Sequence, residues 1–286
     1  MLETLEPVFD RIDEWTLLVA LALIGLEILN DLIRRRSPGR RLLDGLASLS
    51  TQIPSIIVEL GVFAATVVVY YTAYELVTPV QIPVNLWTVL LAVLAADFVY
   101  YWEHRWAHEI RIFWVSHAVH HSSRVMNTPV AFRFGPFEGI LAALIHLPLV
   151  LIGFDPLLVF FGQVVVLGYQ TWIHTELVGR LGPLDWVLNT PANHRVHHGC
   201  DPKYLDKNYG GILILWDRLF GTYQAEEERP RYGLVRDFES VNPLVVWFSE
   251  LPGLARDLAA ARSAGEIFGY LFRRPGWRPP EPESWP

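Results

Sequence analysis

The sequence predicts an all-α integral membrane protein of about four transmembrane helices, including a short hairpin, with a cytosolic histidine-rich cap that holds two metals. Three observations lead there. Several apolar runs have the length of a bilayer crossing. Arginine and lysine gather on one side of those runs. Eight of the ten histidines fall into three short clusters, "HRWAH", "HAVHH" and "HRVHH".

The spans come in order along the chain. Residues 15–33, 53–74 and 84–103 each approach the roughly 20 apolar residues that a hydrocarbon core requires. Residues 138–175 read as two shorter apolar arms around the turn signal "GFDP" at 153–156, which predicts a tight or partly inserted hairpin. The loop at 34–41 holds five arginines and is therefore assigned to the cytoplasm. The 76–83 loop and the "GFDP" turn hold neither lysine nor arginine. With that topology 22 of the 23 basic residues fall on the cytoplasmic side, Arg11 being the exception. The third span and the hairpin then return to the same face at His104 and His174. The chain divides accordingly into N-terminal membrane helices (1–83), a histidine-bearing domain (84–225) and a cytosolic C-terminal extension (226–286) whose tail, "RRPGWRPPEPESWP", is proline-rich and extended.

Composition excludes several classes. A 52% hydrophobic chain is too apolar for an ordinary soluble enzyme. Net charge is −7 without a basic, aromatic-interleaved patch, so no nucleic-acid partner is expected. The acidic N-terminus is not that of a cleaved signal peptide. Cys200 is the only cysteine, which rules out a multi-cysteine zinc or iron–sulfur site. Histidine, aspartate and glutamate remain as ligands.

Residues three and four apart share a helix face, so His104 and His108 project together, as do the members of each H-x-x-H-H: His117, His120 and His121, then His194, His197 and His198. Imidazole suits iron, zinc, copper and nickel. A tetrahedral zinc takes at most four ligands, so eight clustered histidines point to two metals. His174, in "WIHTE" at the same edge, is a ninth candidate. His146, in the middle of the hairpin, reads as a core histidine.

Three acids are placed near the ligands. Asp97, seven and eleven residues before His104 and His108, falls within about 40° of both on a helical wheel. An acid inside a membrane helix is by default functional, and a carboxylate that accepts the free N–H of a ligating ring orients it. Glu109, beside His108, and Glu176, two after His174, are candidates for the same role. Glu27 and Glu59 in the first two spans are read as structural. Asn193, "DKNYGG" (Asp206 to Gly211) and "WDRLFGTY" (Trp216 to Tyr223) are read as scaffold around the site, within which Asn208 and Asp217 are candidates to hydrogen-bond ligand histidines.

The run "DFVYYWEHRWAH", then "HAVHHSS", "WIHTE" and "NTPANHRVHH", resembles the fatty acid hydroxylase/sterol desaturase superfamily of membrane di-iron enzymes, and within it the alkylglycerol monooxygenase branch. The likeness is good over about 85–225 and poor in the flanks. It implies a four-helix membrane bundle with a cytosolic di-iron cap, its ligands being His104, His108, His117, His120, His121, His174, His194, His197 and His198. After "HHSS" the chain reads "VMNTPVAFRFGP", where such relatives often carry a serine- and arginine-containing stretch. Pro129 and Phe132 therefore alter a loop near the metals.

Two irons in an uncharged imidazole shell would reduce O2 and attack an unactivated C–H bond. Oxygen rebound gives hydroxylation, and loss of a second hydrogen gives desaturation. A site at a membrane surface selects a lipid. No dinucleotide fingerprint, cysteine cluster or haem-domain motif accompanies the histidines, so electrons come from outside: a separate electron-transfer protein such as a ferredoxin or cytochrome, or a reduced pterin (a tetrahydropterin) if the likeness extends that far. A zinc-loaded membrane hydrolase or metal-binding protein is the alternative of another class.

Overall fold

The computed structural model describes residues 2–34 and 38–280. Arg35 to Ser37 of the arginine-rich loop and the last six residues of the proline-rich tail lie outside them. The described chain is all helical apart from isolated bridges. Its long elements are α1 (Leu2–Ile33), α2 (Pro38–Leu76) and α3 (Leu86–Glu109). Then come α4 (Arg111–His121), the hairpin arms α5 (Glu138–Leu151) and α6 (Pro156–Gln170), and α7 (Pro191–His197). The short α8 (Leu215–Phe220) and α9 (Pro243–Trp247) precede a C-terminal pair, α10 (Leu251–Ala260) and α11 (Ala264–Phe272).

Four helical stretches are long and apolar enough to cross a membrane: Asp10–Ile33, Gly39–Leu76, Leu86–Glu109 and Pro156–Ile173. Helix α5 is the short arm expected of the hairpin. Large side chains such as Leu17, Ile57, Leu60 and Val68 lie exposed along α1 and α2, the signature of surface meant for lipid rather than water. The buried core lies instead between α2, α3, α5 and α6, around Tyr70, Leu149, Phe154, Leu158 and Phe161.

Small residues set the central contact. A Cβ on Gly162 of α6 would stand 2.6 Å from the Ala96 Cβ of α3, so the two helices approach closely only because both positions are small. Helix α3 begins at a reciprocal cap between Asn85 and Thr88, which satisfies backbone N–H groups that a membrane would not. The two loops without basic residues meet: Ile82 N donates to Gly153 O at 2.8 Å, in the turn where Gly153 takes a φ of +116°. That end of the bundle is opposite the histidines in chain direction, since α3 runs from it to His104 and His108 and α6 from it to His174.

Helix α3 breaks at Ile110, whose extended backbone starts α4 at once in a new direction. That break turns the first H-x-x-H-H to face the two histidines of α3.

Candidate metal centre

Nine histidines converge, all of them buried. They form two groups: His104, His108, His117, His121 and His197, and then His120, His174, His194 and His198, with the possible ligand atoms of each group within 4.8 Å of one another. In the first, His104 Nε2 faces His117 Nε2 at 3.1 Å, and His108 Nε2 faces His121 Nε2 at 3.1 Å. In the second, His174 Nε2 lies 3.2 Å from His120 Nε2 and 2.8 Å from His194 Nε2. The groups adjoin: the rings of His121 and His198 stack with centroids 4.4 Å apart.

Three of the outer nitrogens are tied to carbonyls. His104 Nδ1 donates to Tyr209 O at 2.9 Å, His174 Nδ1 to Gln170 O at 2.8 Å and His197 Nδ1 to Lys207 O at 3.0 Å. Each bond fixes the tautomer, leaving Nε2 as a bare lone pair turned inward. His197 Nε2 has no hydrogen-bond partner at all although it is buried. Burial and the neighbouring rings hold His117, His120, His121, His194, His197 and His198 well below the usual imidazole range, and burial pushes His174 down to about 4. These seven rings are therefore neutral at pH 7, the form that binds a cation. Ring nitrogens that face each other at about 3 Å need a shared proton or a cation between them. The donor set fits a pair of metal ions.

The three acids behave differently from expectation. Asp97 sits on the predicted face, but bonds to a loop and not to a ring. It accepts from Ile212 N (2.6 Å), Leu213 N (3.2 Å) and Trp216 Nε1 (2.8 Å). Asp217 clasps the same loop from the other side, accepting from Tyr209 N (2.8 Å), Gly210 N (2.7 Å) and Thr222 Oγ1 (2.7 Å). The loop carries the carbonyls of Lys207 and Tyr209 that hold His197 and His104, so both carboxylates position ligands at one remove. Gly211 is needed there, because a Cβ would come within 2.7 Å of Asp97 Oδ1. Asp206 and Asn208 adopt positive φ in that loop, as their residue types tolerate.

Glu109 is turned off the histidine face by one helical step and pairs with Arg105 (3.3 Å) and Arg274 (2.8 Å). Glu176 lies in the turn after α6, where it meets Arg229 at 2.6 Å and Arg41 at 3.8 Å. Glu27 supports the site from α1: it accepts from Thr175 Oγ1 at 2.6 Å, next to His174, and from Thr128 N. Glu59 accepts from Gly139 N at 3.1 Å. Asn208 bridges Asn193 O and Gln224 O, the scaffold role expected of it.

Sequence reasoning missed several residues. Asp206 lies 3.8 Å from His108 Nδ1 and Glu138 lies 4.0 Å from His117 Nδ1, so they are the carboxylates that face ligand rings. Arg133, wholly buried, donates to Val119 O (3.1 Å) and Ser122 Oγ (3.0 Å) and so closes the last turn of α4. Their only signal in sequence was charge beside an apolar run.

Beside the histidines lies a cavity of about 660 Å³. His104, His117, His120 and His174 line one part of it, two from each group, and Phe113, Phe134, Phe137 and Leu141 line the rest. Phe132, in the segment that follows "HHSS", is part of the wall. So are Leu254 and Leu258 of α10 and Leu271 of α11, which brings the C-terminal extension onto the site.

Residues 89–222, a little under half of the chain, match the model of a fatty acid hydroxylase domain. Over 282 residues, 98% of its length, it is 37% identical to human alkylglycerol monooxygenase, of which it covers 63%. It is 37% identical over 141 residues to an ornithine lipid hydroxylase of Rhizobium tropici (47% of this chain, 41% of that one). It is 34% identical over 143 residues to a Delta(7)-sterol 5(6)-desaturase of Eremothecium gossypii (48% and 38%). The chain thus spans between half and a little over three fifths of the length of the alkylglycerol monooxygenases it matches. No solved structure matches it. The matched domain contains all nine converging histidines.

Proposed function

We propose that the protein is a membrane-bound di-iron oxidoreductase that uses O2 to hydroxylate a C–H bond of a lipid, whether fatty acyl, sterol or ether lipid. The observation that carries this reading is the convergence of nine buried imidazoles, in groups of five and four, at the wall of an apolar cavity. His104, His108, His117, His121 and His197 would hold one iron, and His120, His174, His194 and His198 the other. Irons held there supply O2 reduction and the removal of hydrogen from an unactivated C–H bond.

The chain's own part is positional. The carbonyls of Tyr209, Gln170 and Lys207 keep the Nε2 atoms of three ligands aimed inward. The aromatic and leucine walls exclude water and take an alkyl chain. Both histidine groups border the cavity, so a bound chain lies against both at once. Asp97, Asp217, Glu27, Asp206 and Glu138 fix the ligands or the loops that hold them.

The excess of arginine in the first loop supports a cytoplasmic active site. Electrons then reach it from a cytosolic electron-transfer protein or from a reduced pterin, which the likeness to alkylglycerol monooxygenase favours. The likeness to a sterol desaturase favours a second reading, removal of two hydrogens at the same site.

Anaerobic purification and metal analysis, followed by O2 uptake and lipid product analysis, test the proposal. About two irons per chain are expected, with O2 uptake coupled to a hydroxylated or desaturated lipid. One metal or none after anaerobic handling refutes the di-iron reading, and zinc with hydrolysis in place of oxidation supports the alternative class.

A further inference from the structure

A second cavity, of about 280 Å³, lies where the end of α1 meets the start of α2. It shares no lining residue with the cavity beside the histidines. Asp31 and Arg34 of α1, Arg41 of α2, Glu176 in the turn after α6, and Arg229 form much of its wall. Arg195 also lines it but spends its charge on Glu226, in two bonds of 2.7 Å. With Glu27 counted, the described lining then holds three carboxylates against three remaining guanidinium groups. The two signs are layered. Glu27 and Asp31 are buried, whereas Arg34 is exposed and Arg229 keeps 62% of its side chain exposed.

The two buried acids differ in what they hold. Glu27 is committed to Thr175 and Thr128. Asp31 accepts from Arg41 Nε at 2.7 Å through Oδ2 alone. Its Oδ1 has no hydrogen-bond partner among the described residues, on a side chain that is 6% exposed and lines the cavity. A buried carboxylate oxygen without a donor is costly, so the cavity calls for a ligand that donates there. The carbonyl end of α1 adds partial negative charge at the same place.

We propose that this cavity binds a phospholipid head group that joins a primary ammonium to a phosphate, as phosphatidylethanolamine does. The ammonium enters first and donates to Asp31 Oδ1, while the phosphate stays at the mouth with Arg34 and Arg229. A balanced site with acids inside and cations outside suits a zwitterion in that orientation; an anion or a cation alone leaves one layer unmatched. A quaternary ammonium has no N–H for Asp31, and a glycerol head group brings no positive charge. The bilayer is the source of the head group. Leu32 and Ile33, between Asp31 and Arg34, lie exposed where acyl chains run, and the cavity has room for a head group but not for the chains. A lipid held there joins α1, α2 and the turn after His174 at the membrane surface. The inference does not depend on the oxidative reading.

The test uses the full-length protein, purified with its metals and stripped of lipid, in native mass spectrometry and thermal unfolding. The probes are phosphatidylethanolamine, phosphatidylcholine and phosphatidylglycerol of equal chain length, and free O-phosphoethanolamine. One phosphatidylethanolamine per chain should bind at least about tenfold more tightly than either other lipid and raise the unfolding temperature. Asp31→Asn keeps an acceptor for Arg41 but removes the charge, and should lose most of that preference. Arg34→Gln, at an exposed position, should weaken phosphatidylethanolamine by several-fold. Metal content and lipid-free unfolding temperature should be unchanged in both, which separates lost lipid binding from lost fold.

Equal binding of the three lipids means annular lipid only and overturns the proposal. So does a preference that survives in the Asp31→Asn/Arg34→Gln double variant. Should Asp31→Asn not fold, Arg34→Gln decides alone, and unchanged phosphatidylethanolamine affinity there overturns the site. Displacement of the lipid by an equal concentration of free O-phosphoethanolamine overturns the assignment to a lipid.

Discussion

The two histidine groups are built from the same motif but held in different ways. Each H-x-x-H-H divides its members between them: His117 and His121 go to the group of five and His120 to the group of four, while His194 and His198 go to the four and His197 to the five. Adjacent helical residues point about 100° apart, so a pair of neighbouring histidines must address two different points in space. The doubled histidine is thus the device that lets one short helix serve both groups. The difference lies in the support. In the five, His104 and His197 hang on the carbonyls of a single loop clasped by Asp97 and Asp217. In the four, His174 is held by its own helix end at Gln170 O and braced through Thr175 by Glu27. One group depends on a loop and the other on helix ends.

The sharpest way to break that comparison is to remove neighbouring rings. His120→Ala and His121→Ala differ by one position yet should strip different metals. Each variant should retain about one iron per chain and lose activity by two orders of magnitude or more, and their spectra for the remaining iron should differ. His174→Ala, in the group of four, should resemble His120→Ala and not His121→Ala. If the two neighbouring variants leave the same iron behind, the division of the motif is wrong.

Much of this was legible in the sequence, for identifiable reasons. Apolar length and arginine placement are local properties, so the spans and the hairpin at "GFDP" could be placed before any contact was known. Helical spacing likewise brought the histidines to one face, and His174 with them. The partners of the acids were not legible. Asp97 lay on the right stripe, but its distance to a ring depends on how the 209–213 loop folds beneath α3, more than a hundred residues later. Asp206 was legible only as part of a scaffold segment, and Glu138 not at all, since nothing local says that a glutamate opening α5 will face His117. The C-terminal helices were read as an extension because amphipathic helices look alike whether they float or close a cavity. Local physics gave the motifs, and tertiary packing decided their supports.

An intermediate effect should separate the two kinds of support. Asp217 is buried to zero exposure and accepts three hydrogen bonds, two from the backbone of the loop that holds His104. Asp217→Ala leaves those donors unpaired, at a cost of about 2–4 kcal/mol, and loosens the carbonyls on which His104 and His197 depend. Metal affinity should fall by roughly ten- to a hundredfold in the group of five, while the group of four keeps its iron. Chelator titration of the iron-loaded variant, read by which spectral band disappears first, checks this. Equal loss from both groups would mean that the clasp supports the whole cap and not one half of it.

The smallest effect is expected at His146, which sharpens the comparison between histidines that bind and one that does not. Its ring lies in α5 with 1% exposure, Nδ1 bonded to Ala142 O, and none of the nine converging rings is its partner. His146→Gln should therefore keep both metals and most activity. The two leading possibilities for the residue make different demands on the next substitution. As a mere core filler it would accept leucine with equal ease, and removal of a buried, half-satisfied polar ring could even stabilise the fold. As the support of Glu103 it would not, because leucine leaves that carboxyl group without its 3.4 Å neighbour. His146→Leu is accordingly expected to retain two metals but to raise KM for the lipid substrate by about three- to tenfold, with kcat nearly unchanged, since Glu103 lines the cavity. Metal loss in either variant would place His146 inside the metal centre, against the geometry; an unchanged KM in the leucine variant would free Glu103 from dependence on it.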